Sequence, residues 1–199
     1  MNADADVADT SGSTGRLLLA QAPAGLSLVQ DLLNTASMPV FSIPDLLEDA
    51  TTAQNWLEVS LGTWSRQTGR PPLRITIHPA DLAPLRDLRR QVRSWVSDEG
   101  EDRAPHPLAA SVSFGNGHLT YGPSGDGAPA VTSLVLIEAL LASHTGALSR
   151  LKTCLNPACG AAFYDLSRNS TRIWHDVKTC KNVMNLRASR ARRRESTTG

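Results

Sequence analysis

The chain has 199 residues, 41% of them apolar, and a net charge of only +1. That length holds one sizeable domain, or one of about 100–150 residues with a small satellite, and the apolar share suffices for a buried core. The near-neutral total conceals a division: residues 1–149 carry 9 Lys and Arg against 16 Asp and Glu, net −7, while residues 150–199 carry 11 against 3, net +8. A split of this kind is expected of a tail that meets a polyanion or an acidic partner. The plainer alternative is that the two parts attract each other.

The opening stretch MNADADVADTSGSTG has no apolar h-region, so it does not read as a signal peptide. Residues 1–15 are small, polar and acidic, and are expected to form a disordered tail. The densest apolar run, Val131 to Leu141, is broken by Thr132, Ser133 and Glu138 and falls short of the roughly 20 residues a bilayer requires. The expectation is a cytoplasmic protein with no membrane partner.

In chain order, Leu26 to Ala36 places Leu28, Val29, Leu32, Leu33 and Ala36 on one helical face. Its last turn holds Asn34-Thr35, for which helix-end bonding and a ligand-contacting or sensor role are both open. Ser42-Ile43-Pro44-Asp45 has the hydroxyl, early proline and acid of a helix start. Ala53 to Arg66 follows with Trp56, Leu57, Leu61 and Trp64 at helical spacing, read as core. Pro79-Ala80-Asp81 opens a helix with the apolar stripe Leu82, Leu85, Leu88, Val92, Trp95 and Val96; Arg86, Arg89, Arg90 and Arg93 line its other side and read as a solvated face.

The period then changes. Val112 and Phe114 before Gly115-Asn116-Gly117, with Leu119 and Tyr121 after it, predict a β-hairpin. Thr132 to Leu151 reads as a long apolar helix with Leu134, Ile137, Leu141 and Leu148 in the core. It runs almost directly into Cys154, so whatever follows is expected to dock on it.

All three cysteines lie in Cys154-x4-Cys159-x15-His175-x4-Cys180. Their odd number and clustering favour metal-bound thiolates over disulfides. Thiolate and imidazole are the side chains zinc prefers, and four of them close a tetrahedral, structural site. Pro157 and Gly160 suit a turn around the metal, and Gly160 can supply a positive φ. Phe163, Leu166, Ile173 and Trp174 are expected to cover it. His175 and Cys180 are about 140° apart on a helix, so His175 should precede the helix, with Thr179 as cap and Cys180 in the first turn.

These residues resemble the CGNR zinc finger, whose pattern has a Cys-x4-Cys pair, an F-x-D-x-S-R-N-like stretch, a Trp-Cys pair and a C-G-N-R motif opening a basic helix. The chain supplies Cys154, Cys159, Phe163, Asp165, Ser167, Arg168, Asn169, Trp174, Cys180 and Asn182. It departs at His175, in place of the third cysteine, and at Lys181 and Val183, in place of the namesake glycine and arginine. The earlier part resembles the ABATE domain that partners that finger, most visibly at Leu32-Leu33-Asn34-Thr35. The resulting expectation is an α+β fold. A mostly helical N-terminal domain with a β-hairpin (residues 16–151) precedes a treble-clef-like Cys3His finger with a basic C-terminal helix (152–194) and a tail (195–199).

The resemblance implies a bacterial transcription regulator holding one structural zinc ion, with the N-terminal domain as sensor or oligomeriser. Arg187, Arg190, Arg192, Arg193 and Arg194 are the candidate DNA contacts, since an arginine stripe suits phosphates. A protein partner, a homodimer and a small-molecule effector are compatible with this reading. The alternative is a protein- or RNA-interaction adaptor. Zinc catalysis is not expected: no glutamate lies between Cys154 and Cys180, and four ligands leave no open coordination position.

Overall fold

The computed structural model of the protein describes residues 12–97, 109–115, 117–182, 185 and 190. Gly12–Gly15, expected in a disordered tail, form a buried helical turn, α1. Ser13 Oγ donates to the Asp31 carbonyl (2.6 Å), while the Thr14 N–H and Ser60 Oγ donate to the Asp31 carboxylate (3.0 and 3.1 Å). Burial raises the pKa of Asp31, and these donors oppose the shift. The acid therefore holds α1 against the interior.

Four longer helices build the core: α2 (Leu26–Leu33), α3 (Ala50–Thr68), α4 (Leu82–Val96) and α5 (Gly127–His144). Leu28, Leu32, Leu57, Trp64, Leu85, Leu88 and Leu134 are all essentially inaccessible, as the helical spacings predict. α3 does not start at Ser42. Asp49 caps it, accepting from the Thr52 N–H at 2.9 Å, and Ser42 adopts a left-handed conformation (φ 54°). The apparent start signals are consumed by tertiary contacts instead. Pro44 O accepts from Arg16 Nη1, and Asp45 forms a forked ion pair with Arg89 (2.7 and 2.8 Å).

The arginine face of α4 is also not simply solvated. Arg89 is 9% exposed and also reaches Thr35 Oγ1; Arg86 donates to Leu47 O; Arg93 donates to Leu33 O and Gly160 O. Only Arg90, paired with Asp87, behaves as a surface charge. Forked guanidinium donors suit such buried carbonyls and carboxylates.

The hairpin appears as β1 (Ala110–Gly115) and β2 (His118–Pro123), with Phe114 opposite Leu119 and Val112 opposite Tyr121. Asn116 lies outside the described residues, and Gly117 has φ 81°. Helix α5 begins at Gly127, five residues earlier than expected. A Cβ at Gly127 would lie 2.6 Å from the Asp81 carboxylate, which accepts from the Ala128 N–H, so the close approach that starts this helix requires glycine. It ends at His144, where left-handed Gly146 breaks it; Leu148–Arg150 form a separate turn. Leu141, expected in the core, is 40% exposed. By length and composition α5 could cross a membrane, but 67% of it is buried inside the protein, as in a core helix.

The C-terminal part opens with β3 (Leu151–Thr153) antiparallel to β4 (Ala162–Tyr164). Leu151 and Ala162 belong to the same core as α2 to α5. Asn34 is central to the junction. Asn34, 0% exposed, accepts the Ala162 N–H on Oδ1 (2.8 Å) and donates from Nδ2 to Ala162 O (2.9 Å), pairing with β4 as a strand would. Thr35 is equally buried, donating to Leu32 O and accepting from Arg89. The pair suggested as a ligand contact thus spends its hydrogen bonds on tying the fold together.

Asn34→Ala leaves the Ala162 N–H buried without this acceptor, so a loss of about 2–3 kcal/mol in urea unfolding is expected. Arg90→Ala, at an exposed pair, should cost no more than about 0.5 kcal/mol in the same experiment.

Candidate metal centre

The turn between β3 and β4 carries Cys154 and Cys159. Asn156 shapes it: its Oδ1 accepts the Ala158 N–H, and its carbonyl accepts the Cys159 and Gly160 N–H groups (2.8 and 3.1 Å). Gly160 supplies the expected positive φ, 61°. The other two ligands come from the far side of a long loop. His175 precedes a five-residue π-helical turn, Val177–Lys181, which contains Cys180. The cap is Asp176, not Thr179: its carboxylate accepts the Thr179 N–H at 2.7 Å. Thr179 is therefore the donor in the capping bond.

The loop is held by an interior ion pair. Asp165, 0% exposed, accepts from Lys152 Nζ (2.8 Å) and from the Ser167 and Arg172 N–H groups (2.9 Å each). Burial alone would raise this carboxyl, but the Lys152, Ser167 and Arg172 donors outweigh it and hold the pKa well below the usual range. This is the physical content of the F-x-D-x-S stretch. Phe163 lies beneath the Arg172 guanidinium, 5.4 Å from its ring centre.

Cys154, Cys159, His175 and Cys180 place one ligand atom each within 4.8 Å of all the others. His175 Nδ1 lies 3.3 Å from Cys159 Sγ and 3.6 Å from Cys180 Sγ. A tetrahedral zinc ion, with Zn–S near 2.3 Å and Zn–N near 2.05 Å, requires S···N edges of about 3.6 Å. The donor set and its spacing therefore fit a zinc-type ion, with all four positions filled by protein. Sulfur is further served by hydrogen bonds from Asn156 Nδ2 to Cys180 and from the Ala161 N–H to Cys159. Asn156 was not among the expected site residues. Its signal is the Asn-Pro dipeptide inside the first Cys pair, a turn marker.

The wall of the centre differs from expectation. Leu166 and Ile173 are 68% and 52% exposed and do not cover it. Met38, 1% exposed, packs with Cys154, Cys159, Ala161 and Cys180, joined by Leu17, Leu19, Ile43 and Trp174. A finger of this size has too little apolar surface for its own core, and it takes Met38 and its neighbours from the N-terminal part.

Of the candidate nucleic-acid residues, Arg190 is described and exposed, whereas Arg187, Arg192, Arg193 and Arg194 lie outside the described residues, as does Val183. Sequence reasoning did not select the exposed Arg168, Arg172, Lys178 and Lys181, which share the finger with the metal ligands.

A closed Cys3His cluster on a short hairpin and a helical turn defines a zinc-finger class of module. Residues 150–193 match the family model of the CGNR zinc finger. No curated protein matches the chain.

Taken as bare thiols, the three cysteines compete for protons. The hydrogen bond from Cys159 lowers Cys154 to about 3 against the effect of burial; the same bond, then burial, raises Cys159; burial raises Cys180. A dication displaces the protons on the two raised thiols. Between pH 7 and 8, zinc uptake should release about two protons, and its apparent affinity should rise about 100-fold per pH unit, as read by competition with a chromophoric chelator. Because Met38 and Ala161 join the centre to the fold, chelation should lower the single unfolding transition of the whole chain. The loss is about 4 kcal/mol relative to free zinc at a thousandfold over Kd.

Proposed function

We propose that the protein binds DNA through its metal-held finger and the basic segment that follows, as a bacterial transcription regulator in which the ABATE-like N-terminal part modulates binding. The observation that carries this reading is the sign of the exposed charge. Within the matched finger the only carboxylates are Asp165 and Asp176. The first is buried against Lys152, and the second caps the π-helical turn. Arg168, Arg172, Lys178, Lys181 and Arg190 are exposed. The outward field is therefore positive, and the sequence adds four further arginines of the same sign, at 187 and 192–194. Ligand pairs on a hairpin turn and at a helical turn also support the treble-clef-like reading, with the zinc structural and the chemistry left to surface cations.

Uniform cations favour phosphate contacts, which fix position without reading sequence. Lys181 and Val183 replace the family's glycine and arginine, so any contact specific to that arginine is absent. A second reading draws on Leu155, Ile173 and Val177, which are 57%, 52% and 54% exposed on the finger. Apolar surface of this kind suits a protein partner, and a pull-down that survives nuclease treatment would favour it.

Mobility shift against salt tests the main reading. Five phosphate contacts give a log–log slope of about −4 to −5, and Lys178→Ala or Lys181→Ala should each reduce it by about 1. A flat response, or no binding at low salt, overturns the DNA-binding proposal.

A further inference from the structure

Glu138 sits midway along α5, an otherwise apolar core helix, and is 3% exposed. A buried carboxylate is costly unless its charge is compensated. Its Oε1 accepts from Trp64 Nε1 (2.7 Å) and Tyr121 OH (3.0 Å), both neutral donors. Its Oε2 receives no hydrogen bond from the described residues. Room for Oε2 is made by Gly25: a Cβ there would lie 1.8 Å from it, so no other residue fits without displacing the acid. Gly25 precedes the first residue of α2, whose positive end favours a carboxylate.

A cation lies close by but is not paired with Glu138. The Arg70 guanidinium stacks 3.6 Å from the Tyr121 ring centre and donates from Nη2 to Tyr121 O, while its buried Nη1 has no hydrogen-bond partner among the described residues. Arg70 and Glu138 both line one cavity of about 430 Å³, whose remaining wall includes Leu26, Leu141 and Ala142. That volume is in the range of small-metabolite sites, and apolar walls with a few polar groups are their usual composition. The rim is preformed. Gln67, with its amide turned to donate, reaches Ala22 O, Ala24 O and Ser27 Oγ (3.2, 2.8 and 3.0 Å) and fixes the turn before α2.

We propose that this cavity binds a small amphipathic carboxylate, its anionic end beside the Arg70 guanidinium, its apolar body against Leu141 and Ala142, and a hydroxyl or amino donor on Glu138 Oε2. The inference stands apart from the DNA-binding reading, since it rests on α2 and the turn before it, the end of α3 and Arg70 beyond it, β2 and α5, and on no residue of the finger.

The test is ligand-detected NMR on the full chain with 4-hydroxybenzoate, 4-aminobenzoate and, as the donor-free probe, benzoate. Saturable binding is expected, with the hydroxy and amino acids ahead of benzoate. Arg70→Gln should weaken all three by at least about tenfold. Glu138→Gln should abolish only the preference for the donor-bearing acids. Leu141→Trp, a filling change at a half-open wall position, should block all three. Absence of binding by all three acids at millimolar concentration, or binding unchanged by both Arg70→Gln and Leu141→Trp, overturns the proposal.

Discussion

The C-terminal quarter of the protein depends on how one backbone unit, that of Ala162, is met from outside its own hairpin. On one edge β4 pairs with β3; on the other, the Asn34 amide receives its N–H and returns a donor to its carbonyl. An amide side chain offers one acceptor and two donors in a plane, so it can substitute for a strand where a full third strand does not fit. Gln30 Nε2 adds a longer bond to the same carbonyl (3.3 Å). Two turns of α2 thereby close a sheet edge that would otherwise be open, and they orient the Cys154–Cys159 turn against the Met38 wall. The metal centre is consequently built between two parts of the chain, although all four of its ligands come from one.

Three ionic side chains inside the fold are each met by several donors or acceptors. Asp165 takes Lys152 and two N–H groups; Arg93 spans Leu33 O and Gly160 O; Arg89 forks onto Asp45 and touches Thr35. Desolvating these ions is expensive, and what the cost secures is registration. Arg93 joins the end of α2 to the metal-binding turn, and Lys152 clamps the loop that returns His175 to the cysteines. Removal of one partner from such a set leaves an uncompensated charge, which is why these contacts position the finger more sharply than its few apolar contacts can.

Much of this was legible in the sequence where the signal was local. Cysteine and histidine spacing identified the ligand cluster, Asn-Gly between alternating apolar residues identified the hairpin, and the helical periods identified α2, α3 and α4. The misses share one cause, since each depends on a partner distant in sequence. Ser42-Ile43-Pro44-Asp45 carries the composition of a helix start, but Arg16 and Arg89 claim its polar groups. Arg86, Arg89 and Arg93 have the spacing of a solvated face, yet Leu47 O meets Arg86, Asp45 and Thr35 meet Arg89, and Leu33 O and Gly160 O meet Arg93. Leu166 and Ile173, apolar and close to the ligands in sequence, are expected to cover the metal. Met38 does so instead, over a hundred residues before the ligands, and no periodicity or motif marks it.

The placement of α2 connects the two sites. Its eight residues span about 12 Å, with Gly25 against Glu138 and the proposed cavity at one end and Asn34 against Ala162 and the finger at the other. All eight are buried, so the helix has neighbours on every side and little freedom to bend locally. A displacement at Gly25 would therefore be carried along the helix to the Ala162 clamp. Proximity alone does not make this allostery: a ligand shifts the finger only if it binds two arrangements of α2 with unequal affinity. The Glu138 environment supplies a basis for that inequality. In the arrangement seen, Oε2 has no donor among the described residues and rests against the α2 start, so a ligand that donates to Oε2 changes the charge balance at the helix terminus itself. The same contact that would hold the ligand thus acts on the helix that holds the finger.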